Sequence, residues 1–226
     1  MLVENWMSKT VVTVGQNESL LDAMRLLEQK AVSMLPVLEG EEVVGIVTDR
    51  DVKRALFSDV ARPDIPELLF SMSRVKVREF MSRNPITVPF DFTVEETAEI
   101  LLHNKISGAP VLDHDGKIVG IITQTDIFRA LISMTGVGKR GIQFAFQLED
   151  RPGSIREVCD VIRKYGGRMV SILSTYEGIQ DGYRKVYIRS CDINKAKLSD
   201  IKAELKARAK VFYMVDHGDN RREIYE

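Results

Sequence analysis

The chain has 226 residues, enough for two compact domains that each bury a core. Hydrophobic residues make up 44% and charged residues 29%, the balance of a folded globular protein rather than a disordered one. The 32 Lys+Arg against 33 Asp+Glu leave a net charge of −1, which argues against general binding along a nucleic-acid backbone.

No apolar run approaches the roughly 20 residues that span a bilayer. The opening MLVENWMSK lacks the basic and then apolar order of a secretory signal, so a cytoplasmic protein without a membrane partner is expected. Cys159 and Cys191 read as two buried thiols rather than a disulfide, given a reducing compartment. His103, His114 and His217 are scattered, with no metal-ligand spacing.

From the N-terminus, Trp6 reads as a packing anchor. Residues 11–14 form a short β-branched strand that stops before GQNE. Ser19 caps a helix whose Leu20, Met24 and Leu27 share a face, widened by Ala23 and Leu26. Residues 35–38 and 43–47 are strands joined by the polar turn EGEE, and Thr48 opens a second helix. The stretch 57–76, with Pro63 and Pro66, is a linker that carries a short helix over 68–72.

The same order then recurs. WMSKTVVTV returns as FMSRNPITV, VSMLPVL as ISGAPVL, and GIVTDRD as GIITQTD. Met7 to Met81, Thr13 to Thr87 and Pro36 to Pro110 are each 74 residues apart, while Gly45 to Gly120 and Asp51 to Asp126 are each 75 apart. The extra residue falls in the turn DHDG. Phe80 is the counterpart of Trp6, and Thr93, Val94, Thr97 and Leu101 lie on the repeat's first helix. One such unit cannot bury its sheet face alone, but two related by an approximate twofold axis can.

In GIVTDRD and GIITQTD a strand delivers a threonine and, three residues on, an aspartate. Ser/Thr-x-x-Asp/Glu at a strand-to-helix junction is also a capping box, which needs no ligand. A carboxylate held in a first helical turn can equally accept hydrogen bonds from the two vicinal hydroxyls of a ribose, with the helix N-terminus favouring a phosphate. Both readings fit the motif taken alone.

The repeated Gly-h-h-Thr-x-x-Asp, together with the Val/Ile-Ser-x-x-Pro segment in each copy, resembles the CBS-domain pair, or Bateman module, over residues 1 to about 133. The resemblance implies two clefts for adenosine-type ligands: AMP, ADP, ATP or S-adenosylmethionine. It places Thr48 and Asp51 of one cleft with Ile86, Ile106, Ser107, Gly108, Ala109 and Pro110. The other cleft takes Thr123 and Asp126 with Val12, Val32, Ser33, Met34, Leu35 and Pro36. Arg50, Arg54, Lys105 and Arg129, and more weakly Lys9 and Asn84, are the candidate phosphate partners.

After Leu131, ISMTGVGKRG reads as a flexible glycine-rich junction. IQFAFQL at 142–148 alternates as a strand, and EDRPGS is a turn with proline early in the next helix. Ile155, Val158, Ile162 and Tyr165 line that helix, and Gly166 suits its left-handed C-terminus. Strands over 169–176 and 183–190, a helix over 196–207 and the strand KVFYMVD complete the order β-α-β-β-α-β, a ferredoxin-like unit.

The run LEDRPGSIREVCDVIRKYGGRMVSI is similar to the signature of the ACT domain. That resemblance makes Asp150, Pro152, Gly153, Ser154 and Ile155 an effector loop, with Asp150 facing the amine of an amino-acid-type ligand. Other ACT domains only dimerise, and both roles stay open.

The expected fold class is α+β (α/β), with CBS repeats at 1–57 and 77–133 around a linker at 58–76. A Gly-rich linker at 134–141 follows, then an ACT domain at 142–217 and a tail at 218–226. The order CBS-CBS-ACT without a catalytic domain resembles the bacterial acetoin-utilisation AcuB-type proteins. It implies a homodimeric regulatory sensor of nucleotides acting on another protein. The alternative is a ligand-free dimerisation module docked on a metabolic enzyme. With no nucleophile–base pair, P-loop or Rossmann fingerprint in the sequence, neither an enzyme nor a catalytic cofactor is expected.

Overall fold

The computed structural model describes residues 1–57 and 65–225. It divides into two compact units, Met1–Phe128 and Arg129–Glu226.

The first unit opens with β1 (Val14–Gly15), α1 (Leu20–Lys30), β2 (Met34–Glu39), β3 (Glu42–Thr48) and α2 (Asp49–Phe57). After α3 (Ile65–Arg74) and α4 (Val77–Phe80), the second copy supplies β4 (Ser82–Arg83), β5 (Val88–Pro89), α5 (Val94–Asn104), β6 (Gly108–Leu112), β7 (Ile118–Thr123) and α6 (Gln124–Thr135). Pro63 of the expected linker lies outside the described residues. The helix expected over 68–72 is longer, and its Met72 enters the core of the first repeat.

Local chemistry sets these ends. Ser19 accepts the Asp22 amide while Asp22 takes the Ser19 amide, a reciprocal capping box for α1. Thr93 and Glu96 do the same for α5. The two helices also stop alike, on Ala31 and Lys105 in the left-handed conformation, 74 residues apart.

The strand expected over 11–14 shrinks to Val14–Gly15, because only Val14 and Gly15 reach a parallel partner, Val37 and Leu38 of β2. The strand expected over 35–38 starts one residue earlier, so Met34 to Pro36 belong to β2, and Gly108 to Pro110 belong to its counterpart β6.

The repeats exchange their leading segments. β4, which precedes the second copy, pairs with β3 of the first through Gly45↔Arg83 and Ile46↔Ser82. Reciprocally, Ser8 bridges Ile121 of β7, and Val3 is buried in the second repeat's core with Val88, Leu101 and Ile122. The motif glycines make this exchange fit. A Cβ on Gly45 would collide with the Met81 sulfur, and a Cβ on Gly120 with that of Met7. Trp6 packs on the second core and Phe80 on the first.

The second unit contains β8 (Ile142–Glu149), α7 (Ser154–Lys164), β9 (Arg168–Thr175), β10 (Tyr183–Cys191), α8 (Leu198–Arg208), β11 (Lys210–Asp216) and β12 (Arg221–Ile224). Its sheet has the order β12-β11-β8-β10-β9, with every neighbouring pair antiparallel. Ile142, Phe144, Phe146 and Leu148 alternate onto one face and meet Val158, Ile162, Ile201 and Leu205 of the helices. Truncating Phe144 or Phe146, both essentially unexposed, costs about 3–5 kcal/mol.

Several expectations need correction here. The segment read as a tail forms β12, paired to β11 from Tyr213↔Ile224 to Asp216↔Arg221. The helix expected at 196–207 is a 3-10 turn at Lys195–Lys197 followed by α8. Pro152 precedes α7 rather than lying inside it.

The glycine-rich junction is pinned rather than loose. The Arg189 guanidinium, 3% exposed, donates to the carbonyls of Thr135 and Arg140 and to Gln143. Gly136, with φ 63°, is pressed against Val170. Cys159 is buried, and burial raises its thiol pKa; Cys191 is only half-buried, and both are free.

Candidate functional site

β3 ends at Thr48 and α2 begins at Asp49, so the strand presents Thr48 and the first helical turn presents Asp51. Asp51 Oδ2 accepts the Thr48 amide at 2.9 Å and the Thr48 hydroxyl at 2.6 Å. Its Oδ1 lies 4.0 Å from a guanidinium nitrogen of Arg54. At the other repeat, Asp126 Oδ2 takes the Thr123 amide at 2.8 Å and its hydroxyl at 2.6 Å.

The hydrogen bonds alone do not mark a ligand site. Ser19–Asp22 and Thr93–Glu96 make the same set, with hydroxyl distances of 2.6 and 2.8 Å. In both, the hydroxyl and amide of the cap hold the acid below its ordinary pKa; for Asp22 the Ser19 hydroxyl is the larger cause, for Glu96 the Thr93 amide. Burial separates the two classes. Asp51 and Asp126 are 7% and 4% exposed, whereas Asp22 is half-buried and Glu96 is open to solvent. A carboxylate is seldom buried without a dedicated partner.

The Thr48–Asp51 corner also forms one wall of a cavity of about 460 Å³. The second repeat supplies Ile86, Ile106, Ser107 and Gly108 to this cavity. Ala109 does not line it; its side chain belongs to the second core, and Pro110 is buried beside it in β6. Ser33 and Met34, expected at the other corner, stand on this cavity's wall. Leu35 is in the first core, Val12 and Val32 pack against that core, and Pro36 is buried in β2. The alternation of β2 and β6 explains the change, since successive side chains cannot all face one cleft.

Among the expected phosphate partners, Arg50, Arg54, Lys105 and Asn84 line the cavity, while Lys9 and Arg129 do not. The sequence reading missed Arg83, which joins them from β4. The signal was present in the repeat: Arg83 lies 74 residues after Lys9, so both copies carry a cation at that point. Thus Arg50, Arg54, Arg83 and Lys105 face Asp49 and Asp51, with Asp49 also held by Lys53 at 3.1 Å.

In the second unit, Asp150 is engaged within the chain. Its Oδ1 meets the Arg184 guanidinium at 3.0 Å and accepts from the Tyr176 hydroxyl at 3.4 Å. The antiparallel register, with Arg184 opposite Leu148, brings that arginine to the loop, so Asp150 is not an open receptor for an amine. Gly153 is the N-cap of α7, Ser154 opens it, and Ile155 packs against the core. Among the described residues, no group of three or more His, Cys, Asp or Glu can hold a metal ion. No helix among them is long and apolar enough to cross a membrane.

Comparison with known proteins bears on the first unit. The family model for the CBS domain matches residues 3–58 and 77–133. A CBS domain-containing protein of Dictyostelium discoideum is 31% identical over 134 residues, covering 59% of this chain and 92% of that protein. The inosine-5'-monophosphate dehydrogenase of Korarchaeum cryptofilum is 32% identical over 125 residues, covering 55% of this chain but only 23% of the enzyme.

Among solved structures, CBSX2 in complex with AMP aligns with a TM-score of 0.50 at 29% identity, over 59% of this chain and 98% of that one. CBSX2 is a CBS-pair protein from Arabidopsis thaliana. Protein MJ1225 from Methanocaldococcus jannaschii aligns with a TM-score of 0.51 at 28% identity, over 57% of this chain and 47% of that one. With two matched repeats, exchanged leading segments and a buried aspartate at the Thr–Asp corner of each, the chain belongs to the CBS domain family.

Proposed function

We propose that the chain is a non-catalytic regulatory sensor whose first unit binds an adenine nucleotide in the Thr48–Asp51 cavity. The observation that carries this reading is a buried carboxylate on the wall of a cavity ringed by Arg50, Arg54, Arg83 and Lys105. Asp51 Oδ1 accepts the ribose hydroxyls. The Thr48 hydroxyl, whose proton is committed to Oδ2, holds the carboxylate in position. Ile86, Ile106 and Met34 provide apolar contact for the base, and the cations receive phosphate. CBSX2, the structural neighbour solved with AMP, supports the ligand class. The basic wall favours a phosphate-bearing nucleotide over S-adenosylmethionine, which carries a sulfonium cation. The Thr123–Asp126 corner is proposed as a second nucleotide site.

Occupancy regulates only if the nucleotide binds two conformations unequally. α6 carries the chain from beside Asp126 to Thr135 and so into the second unit. We read that unit as an ACT domain of ferredoxin-like form, for which its βαββαβ order and antiparallel sheet give support. In that role it takes an amino-acid-type effector at 150–155, whose amine must displace Arg184 from Asp150, or it serves dimerisation. Phe128, Leu131 and Ile132, exposed on α6, favour a homodimer. The resemblance to AcuB-type proteins extends the proposal to control of a partner protein in acetoin utilisation.

Calorimetry on the full chain with AMP, ADP, ATP and S-adenosylmethionine tests the reading. Phosphate-bearing nucleotides are expected to bind at about −5 to −8 kcal/mol and the sulfonium ligand more weakly. Equal or absent binding of all four removes the proposal. One observation favours a ligand-free structural module instead: each corner is already a closed capping box. A melting temperature unmoved by any nucleotide decides for that reading.

A further inference from the structure

The sheet of the second unit has a face turned away from α7 and α8. β8 sends Ile142, Phe144, Phe146 and Leu148 to the helices, so Gln143, Ala145 and Gln147 point the other way. The register then places Lys185 of β10 and Lys210 of β11 on either side of Gln147. Their α-carbons stand two strand spacings apart, roughly 10 Å. Like charges on one face of a sheet repel, and at this spacing salt screens them only in part. Neither lysine has a carboxylate partner among the described residues.

The two lysines line a depression of about 560 Å³. Lys185 is half-buried, and the loop between β9 and β10 closes on it. A Cβ on Gly178, whose φ is 63°, would lie 3.2 Å from Lys185 Nζ. Glu177 and Asp181, the acids of that loop, do not line the depression. The side-chain amides of Gln147 and Gln180 do, and make no hydrogen bond among the described residues.

An irregularity in β11 adds an apolar wall. The register slips between Val211 and Tyr213, so Val211 and Met214 enter the core while Phe212 and Tyr213 both stand outside it. A bulge of this kind re-aims a side chain. Here it sets Phe212 on the wall of the depression with Ile179, its ring 5.8 Å from Lys210 Nζ.

We propose that this depression binds a compact dianion, a dicarboxylate or a phosphate monoester, whose negative oxygens bridge Lys185 and Lys210. The Gln147 and Gln180 amides donate to it, and Phe212 and Ile179 receive its apolar part. The site is separate from the loop at 150–155 and from the nucleotide cavity, and rests on neither reading. Gln147 and Lys210 also border the space beside α7, but Lys185 and Phe212 do not, so Lys185 is the discriminating residue.

The test is a titration of the ¹⁵N-labelled full chain with succinate and, separately, with phenyl phosphate, at constant ionic strength set with chloride. Saturable shifts of the Gly178, Ile179 and Gln180 amides are expected. Lys185→Gln should weaken the response about five- to tenfold and Lys210→Gln about threefold, the scale of one charge-assisted hydrogen bond and of one exposed charge. Saturation by succinate alone assigns a dicarboxylate, by phenyl phosphate alone a phosphate monoester, and by both a general dianion site. Absence of saturation with either probe overturns the proposal, as do shifts confined to 150–155 or to the nucleotide cavity. Saturation at 178–180 that Lys185→Gln leaves unchanged overturns it too. Should Lys185→Gln fail to fold, the exposed Lys210→Gln variant decides, with an unchanged response counting against the site.

Discussion

The corners at Thr48–Asp51 and Ser19–Asp22 have nearly the same hydrogen bonds, yet they sit in different surroundings. Ser19–Asp22 caps the start of a helix with its acid only half-buried. Thr48–Asp51 does so with its acid buried, facing a cavity to which the other repeat contributes Ile106, Ser107 and Lys105. Four residues in a pattern make a cap. What makes a candidate binding site is the surface that a distant segment brings opposite the cap.

Breaking one member of the pair and then the other sharpens this contrast. The largest effect is expected at Asp51. Asp51→Asn keeps an acceptor for the cap but removes the charge, and should weaken nucleotide binding about ten- to hundredfold by calorimetry, a loss of about 1.5–3 kcal/mol. Asp22→Asn should leave that affinity unchanged. Next comes the exchange of leading segments: Gly45→Ala forces a methyl group against Met81 and should lower stability by about 1–3 kcal/mol in urea unfolding.

Ser19→Ala removes a cap and should lower stability by about 1 kcal/mol, again with binding intact. The smallest expected effect is on pH. Asp22 has a lowered folded pKa, so it binds fewer protons in the folded than in the unfolded state around its ordinary value. Its contribution is therefore present above that ordinary value and is lost as pH falls through the lowered folded value. Asp22→Asn should flatten the acid limb of the stability curve slightly, and an unchanged limb would remove the assigned cause.

The repeat itself was legible from residue spacing, because Met7/Met81 and Pro36/Pro110 keep one offset and Ser19 and Thr93 announce their helices. Other features needed three dimensions. Nothing local says that Met7 packs on Gly120 rather than on its own repeat, so the exchange was invisible. The family resemblance assigns Leu35 and Ala109 to the clefts, but strand alternation turns their side chains into the two cores. Arg83 was overlooked although its register with Lys9 was available. β12 was missed because RREI has little apolar alternation and depends on β11 as a template.

The central claim is that Asp51 grips a sugar rather than only finishing a helix. A crystal of the chain soaked with AMP or ATP tests it most directly. The account predicts a nucleotide in the 460 Å³ cavity, with its ribose hydroxyls within hydrogen-bond distance of Asp51 Oδ1 and its phosphate toward Arg50, Arg54, Arg83 and Lys105. A cavity filled only with water at saturating nucleotide, or a ligand whose ribose lies away from Asp51, would contradict it.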